Sequence, residues 1–326
     1  MDSPDDLSLW SLHGYCLGAR ETPHATVRQG DNGRLLFAAE DWCGPEDLAR
    51  LGLSPRPEQI ERLVDFGLIE RQGEALRSLV PRLGPALALP LRQALSPLAA
   101  TFFSAQAGRI AAITRLLAAR GMEGSLYAYL FGAVLDGTLW NALKARIEIP
   151  ETRLTPADRW WRGVFWAVYP PVPGAIGTNE ITLGETTMTL VWSAATAQSQ
   201  RALRQQDWPR ALLLFLEGEA PAAPAEAVAA GLVDAAGRPA VPLLGSPDFA
   251  LLETHGNALA QAAAADFVAA LDRLPATPAF TAPQRHVILA HEFLWALQGA
   301  YRPDGEQVAA PSTLRASVIL HRHATG

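Results

Sequence analysis

The side chains able to do chemistry fall into three groups. Seven histidines stand at 13, 24, 255, 286, 291, 321 and 323, and two cysteines at 16 and 43. His286 and His291 are five residues apart, about 140° around a helix, so they do not form a helical metal pair. His291-Glu292 lacks the second histidine of a zinc-protease helix, whereas His321 and His323 fall on one side of an extended strand. The second group is Arg56, Gln59 and Arg62, followed by Arg71 and Arg77. Arginine can read guanine, glutamine can read adenine, and arginines on a ribbon can touch phosphate, so these residues are candidates for DNA contact. The third group is aromatic: Trp160, Trp161, Trp166 and Trp192, with Asn179 and Glu180 after a loop rich in proline and glycine. Aromatic walls with a few polar groups suit a small ligand or a peptide, and a packed core is the plainer alternative. The chain has no Gly-x-Ser-x-Gly elbow, no phosphate-binding P-loop and no dinucleotide fingerprint, so no catalytic residue, metal or cofactor is called for.

The elements that must position the arginines lie between Gly44 and Gly84. A short helix over Pro45–Leu51 leads through Gly52-Leu53-Ser54-Pro55-Arg56 into a second helix over Pro57–Asp65. Ile60, Leu63 and Val64 recur at i, i+3, i+4 and predict its buried face, and Ser54 is the expected N-cap. Gly67-Leu68-Ile69, a polar turn at Gln72-Gly73 and a return strand to Val80-Pro81 complete the stretch. This order of helix, turn, helix and β-hairpin wing resembles the winged-helix domains of bacterial regulators. The resemblance implies a DNA-binding regulator, with Arg56, Gln59 and Arg62 in the major groove and Arg71 and Arg77 on phosphate. Between Glu46 and Arg92, however, seven arginines meet seven acids, and duplex affinity rests on phosphate neutralisation. The same order, with strands before it, also resembles the leader-peptide recognition domains of peptide-modifying enzymes, which hold an extended peptide at a strand edge. That alternative is an adaptor without catalysis.

Around this stretch, Val27 to Phe37 places Asp31-Asn32-Gly33 between apolar residues and predicts a β-hairpin. Leu35 to Pro45 (LLFAAEDWCGP) resembles the approach to a thioredoxin active site, but Glu46 stands where a resolving cysteine would be. After a proline-punctuated connector from Pro81 to Pro90, a helix capped by Ser96 runs to Gly121, followed by helical patterns over Ser125–Leu135 and Thr138–Ile147. Ile181 to Trp192 alternates as a hairpin about Gly184-Glu185, and Gln198 to Leu216 is helical with a break near Pro209. Glu217–Ala227 reads as a linker. Beyond it Gly231-Leu232-Val233-Asp234 to Val241-Pro242-Leu243-Leu244-Gly245 echoes Gly67-Leu68-Ile69-Glu70 to Val80-Pro81-Arg82-Leu83-Gly84, a degenerate second wing. Helices over Asn257–Leu274 and Pro283–Tyr301 and a strand over Leu314–His321 close the chain.

The expected fold class is α+β and helix-rich. Three domains are expected: residues 1–90 with the β-hairpin and winged-helix-like module, a helical and aromatic middle at 91–216 that mediates self-association, and a C-terminal domain at 217–326. With 326 residues, 49% of them hydrophobic, the cores are large. A formal charge of −6 argues against a broad basic surface. Two cysteines imply no disulfide framework, and the acidic N-terminus is not a signal peptide, so a cytoplasmic place is expected. The longest apolar run, Leu126 to Leu135, is about half the ~20 residues of a membrane helix. The expected partners are DNA, a small molecule or peptide, and a second copy in a homodimer, with no membrane.

Overall fold

The structure is a computed structural model and describes residues 3–17, 22–151, 161–172, 177–192, 196, 207–277, 279–301 and 311–323. The chain is mixed α+β, with about 54% helix and 16% strand. In order it forms β1 (Ser11–Leu17), α1 (Pro23–Val27), α2 (Asn32–Ala38), α3 (Pro45–Arg50), α4 (Pro57–Asp65), β2 (Ile69–Gln72), β3 (Ala75–Ser78), β4 (Arg82–Leu83) and α5 (Pro85–Ala118). A π-helix (Ala128–Thr138), α6 (Leu139–Lys144), β5 (Arg162–Val168), β6 (Gly177–Leu183) and β7 (Thr186–Trp192) follow. The rest comprises α7 (Trp208–Leu216), α8 (Ala225–Ala229), β8 (Leu243–Leu244), α9 (Ala250–Ala270), α10 (Ala282–Ala300), α11 (Leu314–Ser317) and β9 (Val318–Arg322). Among the described residues no helix is long and apolar enough to cross a membrane.

Contacts divide the chain into two units, each drawn from three stretches. The first comprises Met1–Ala94, Glu148–Pro173 and Leu274–Glu292; the second comprises Leu95–Ile147, Gly174–Arg273 and Phe293–Gly326. In the first, a sheet ordered β1-β5-β4 has β5 antiparallel to β1 and parallel to β4. The run Val164–Val168 is buried without alternation, as befits a strand covered on both faces. The core of this unit gathers Leu35, Leu36, Leu48, Leu63, Phe66, Leu68 and Leu76 from α2, α3, α4 and the β2–β3 hairpin. The second unit has a sheet ordered β6-β7-β9-β8 with a core that includes Met188, Leu190, Leu212, Leu232, Val241 and Leu320.

The hairpin expected over Val27–Phe37 is not formed; α1 and α2 stand there instead. Asn32 and Gly33 begin α2, and the positive φ of this stretch falls on Gly30 (59°). Gly33 answers to space rather than to backbone sign: a Cβ would lie 2.0 Å from Asp6 Oδ1 and 2.5 Å from the Ser8 nitrogen. Asn32 is buried and donates from Nδ2 to the Thr26 carbonyl (2.7 Å), tying α1 to α2.

The connector expected from Pro81 to Pro90 is also corrected. α5 begins at Pro85, and the Gly84 carbonyl accepts from Leu87 (3.0 Å) and Ala88 (2.9 Å). Ala88, Leu91, Leu95, Ala99 and Phe102 are buried at helical spacing straight through Pro90 and Pro97. Burial of that stripe outweighs the hydrogen bonds each proline removes. Ser96 is therefore an interior residue of the helix, whereas Gly121 (φ 65°) stops it as expected, with Met122 N–H bonded to the Leu117 carbonyl at 3.0 Å. The expected hairpin at Ile181–Trp192 is present as β6–β7, with Thr182 opposite Thr187 and Gly184 at φ 55° in the turn. The closing strand begins later than expected: Leu314–Ser317 is a helical turn capped by Thr313, whose hydroxyl accepts from Ala316 N–H (3.2 Å). The expected helix over Gln198–Leu216 begins outside the described residues, which show α7.

Candidate functional site

The stretch from Gly44 to Gly84 takes up the expected order of elements. Pro45 and Pro57 occupy first-turn positions of α3 and α4, where a missing N–H costs nothing, and Gly52 (φ 70°) makes the turn between them. Arg56, not Ser54, is the N-cap of α4, and its N–H donates to Gln59 Oε1 (3.3 Å). Leu63 is fully buried and Ile60 half-buried, but Val64 is 41% exposed. The helix ends at Gly67 (φ 62°), and β2 and β3 pair from Ile69↔Ser78 to Gln72↔Ala75 around Gly73 (φ 62°). A third extended segment joins β3 at Cys43, whose N–H and C=O bond to Leu76 at 2.9 and 3.0 Å.

The arginines and glutamine of this module have different surroundings. Arg56 is exposed. Gln59 is half-buried and donates from Nε2 to Asp31 Oδ1 (2.7 Å) and Asn32 Oδ1 (2.6 Å), so it ties α4 to α2. Arg62 is half-buried with its guanidinium 5.7 Å from the Phe66 ring centroid. Arg71 is exposed and bonds the Gly73 carbonyl (3.0 Å). Arg77 pairs with Glu70 and lies 4.9 Å from the ring centroid of Trp42, itself 40% exposed. The outer face of α4 carries exposed Glu58, Glu61 and Asp65 beside Arg56.

The expected aromatic site is spread over both units. In the first, Trp166 lies in β5 with no exposed surface, and Trp161 donates from Nε1 to the Phe66 carbonyl (3.0 Å). In the second, Asn179 and Glu180 lie in β6 opposite Leu190 and Thr189, and Glu180 is exposed. Trp192 ends β7, and Trp160 lies outside the described residues. Near Glu180, Asp136 of the π-helix accepts from Thr178 Oγ1 (3.0 Å) and Trp140 Nε1 (3.3 Å). Burial pushes its carboxyl up to about 6, and the Glu180 charge adds to the effect against those two hydrogen bonds. A small apolar cleft in the same unit is lined by Phe102, Phe103, Ile110, Leu130, Phe131 and other apolar side chains.

A polar cluster that the sequence reading did not find lies in the first unit. His13 of β1 stacks on Trp166 (ring centroids 5.6 Å, 28°), and His291 of α10 meets the same indole edge-on at 4.7 Å. Tyr15 approaches His291 at 6.2 Å. Glu292 is 1% exposed and accepts from Arg92 Nε at 3.0 Å. Burial, helped by the His291, His24 and Arg92 charges, drives the His13 imidazole down to about 3. Burial takes His291 to about 4 against a hydrogen bond to the Val287 carbonyl, and raises the Glu292 carboxyl against Arg92. Both histidines are neutral at pH 7 and can each donate and accept one hydrogen bond. The only signal in the sequence was the bare pair His291-Glu292. Residues 13, 92, 166 and 291 meet only through the β1–β5 pairing and two helices.

His321 and His323 do share a side of β9 and its extension, with ring centroids 4.5 Å apart, and His323 Nε2 bonds Thr187 Oγ1 (2.8 Å). Among the described residues no three His, Cys, Asp or Glu side chains gather as a metal site would require. Cys43 is a buried free thiol whose pKa burial raises, with the Asp47 charge adding and Arg50 opposing, so little thiolate forms at neutral pH. No protein-family model matches the chain, and no curated protein or solved structure does.

Proposed function

We propose that the chain is a peptide- or protein-binding adaptor that uses the helix–hairpin module, with the outer edge of β2 as the place where a partner's extended segment is taken up. One observation carries this reading. Leu76 spends both backbone groups on Cys43, and Arg71 stands directly opposite Leu76 in the ladder. In an antiparallel pair this makes Arg71–Leu76 the non-hydrogen-bonded kind, so the N–H and C=O of Arg71 point away from β3. Among the described residues no strand pairs with that side. An open edge of this kind is where a peptide adds as a further strand. The rest of the module's surface is suited to protein: on the β3 side exposed Trp42 lies against Arg77, Leu79 is exposed, and the acids of α4 offset Arg56.

A second reading, a winged-helix regulator that binds DNA as a dimer and senses a small ligand or peptide, draws support from the exposure of Arg56 and Arg71. One pair of experiments separates the two. Short random peptides are panned against the intact chain and against Arg71→Pro, which removes an outward N–H without taking a bond from the ladder. The adaptor reading expects peptides retained by the parent and lost by the variant; no enrichment, or equal retention by both, overturns it. A labelled random duplex is titrated at low and moderate salt in parallel. Binding that weakens steeply with salt and falls in Arg56→Ala would establish the regulator instead.

A further inference from the structure

We infer that the chain is an internal duplication, and that its two copies have divided the use of one helix–hairpin: the first keeps a projecting ribbon for the partner, and the second retains only what the fold needs. The second clause rests on the adaptor reading; the first does not. α4 leaves through Gly67 (φ 62°) and α8 through Gly231 (φ 68°). Leu68 N–H bonds back to the Leu63 carbonyl at 2.9 Å, and Leu232 N–H to the Ala227 carbonyl at 2.9 Å. Ile69 faces Ser78 as Val233 faces Pro239, and Glu70 pairs with Arg77 as Asp234 pairs with Arg238. Leu79 N–H then bonds the Leu68 carbonyl (2.9 Å), and Ala240 N–H bonds the Leu232 carbonyl (2.8 Å).

The correspondence continues beyond the hairpins. The Pro81 carbonyl accepts from Ala167 (3.0 Å) and the Pro242 carbonyl from Leu320 (2.9 Å). β4 runs parallel to β5 with Arg82 opposite Ala167, and β8 runs parallel to β9 with Leu243 opposite Leu320. On the far side of each central strand lies an antiparallel neighbour, with Leu12 opposite Ala167 and Met188 opposite Leu320. A glycine-leucine exit from a helix is common enough to arise twice. Chance does not also set the register of three further strands in each unit.

The copies differ where it matters for binding. The first hairpin has four facing pairs, and the second is a single bridge closed by a tight turn, with Asp234 accepting from Ala236 (2.8 Å) and Arg238 (2.9 Å). Val80 stands thirteen positions after Gly67 and Val241 ten positions after Gly231, so the second lacks three residues, the counterparts of Glu74, Ala75 and Leu76. Those three close the ribbon of which Arg71 is part.

Hairpin exchange tests both clauses. In one variant Asp234–Arg238 is replaced by the sequence of Glu70–Arg77; in its control the same eight residues replace Ala235–Pro239, one position out of register. Duplication predicts a thermal midpoint within about 4 °C of the parent for the first and a clearly larger fall for the second, because a slip of one residue reverses every facing side chain. Equal losses in the two would overturn the common frame. In the reverse exchange Glu70–Arg77 is replaced by the sequence of Asp234–Arg238. That chain should keep its far-ultraviolet circular dichroism and no longer hold the peptides enriched by the parent. Retained peptide binding by a folded variant would overturn the division of use and the β2 edge as the binding site while leaving the duplication intact, whereas a parent that enriches no peptide would overturn the adaptor reading alone.

Discussion

Replacing His291 with glutamine should remove a defined part of the chain's acid sensitivity. His291 is 9% exposed, sits edge-on to Trp166, and has Tyr15, His13 and the Arg92–Glu292 pair around it. Its folded pKa is about 4 against 6.5 for a free histidine. The folded state therefore resists protonation, and the unfolded state takes up the proton first. The stability this residue contributes is whole above pH 6.5, falls as the pH drops below that value, and is gone near pH 4. At pH 5 the free imidazole is protonated about thirtyfold over the neutral form while the buried one is still mostly neutral. The difference is about 2 kcal/mol. Urea unfolding followed by tryptophan fluorescence at pH 7.5 and pH 5 measures it. Between these two values the parent should lose about 2 kcal/mol more than His291→Gln, whatever the variant's stability at pH 7.5. Parallel losses in the two proteins would refute the claim that this imidazole is held neutral by burial. Asp136 serves as a control of opposite sign: its folded pKa of about 6 stands above the usual 3.8, so it adds stability as the pH falls through 6.

Two further outcomes check the fold around the module. Leu63→Ala should cost about 3 kcal/mol in chemical denaturation, since the side chain is fully buried, whereas Val64→Ala, 41% exposed, should change stability by under about 0.5 kcal/mol. Gly33→Ala should destabilise by about 2 kcal/mol through its collision with Asp6 and Ser8, and Asp6→Ala in the same chain should recover part of that loss, because the nearest atom is the Asp6 carboxylate at 2.0 Å.

The parts of the fold legible in the sequence are those fixed by neighbours along the chain. α4 is announced by Pro57, by Leu63 with Ile60 one turn earlier, and by Gly67 after its end, all within eleven residues. β6–β7 is announced by alternation about Gly184-Glu185. Misreadings occur where a residue with two physical uses is decided by a distant partner. Gly33 can supply a positive φ or leave room for another backbone. The sequence favours the first use, and Asp6 and Ser8 impose the second. Pro90 and Pro97 mark helix starts by local rule, yet the apolar stripe of α5 passes through both.

The same reasoning explains why the candidate site was half visible. Arg56 and Arg71 were located by pattern, and pattern also placed Gln59 on the outside of α4. Its side chain is instead taken by Asp31 and Asn32, the residues whose types alone predict a hairpin turn. The two misreadings are one: a helix at Asn32 gives Gln59 a partner on its own chain, and a hairpin there leaves it free for DNA. Backbone exposure at Arg71 is of another kind, because it follows from which residue of β3 Cys43 occupies. No side-chain pattern carries that information. A contact set by ladder parity tolerates change in the side chain of residue 71 and not in its N–H, so Arg71→Ala should bind the panned peptides nearly as well as the parent while Arg71→Pro does not.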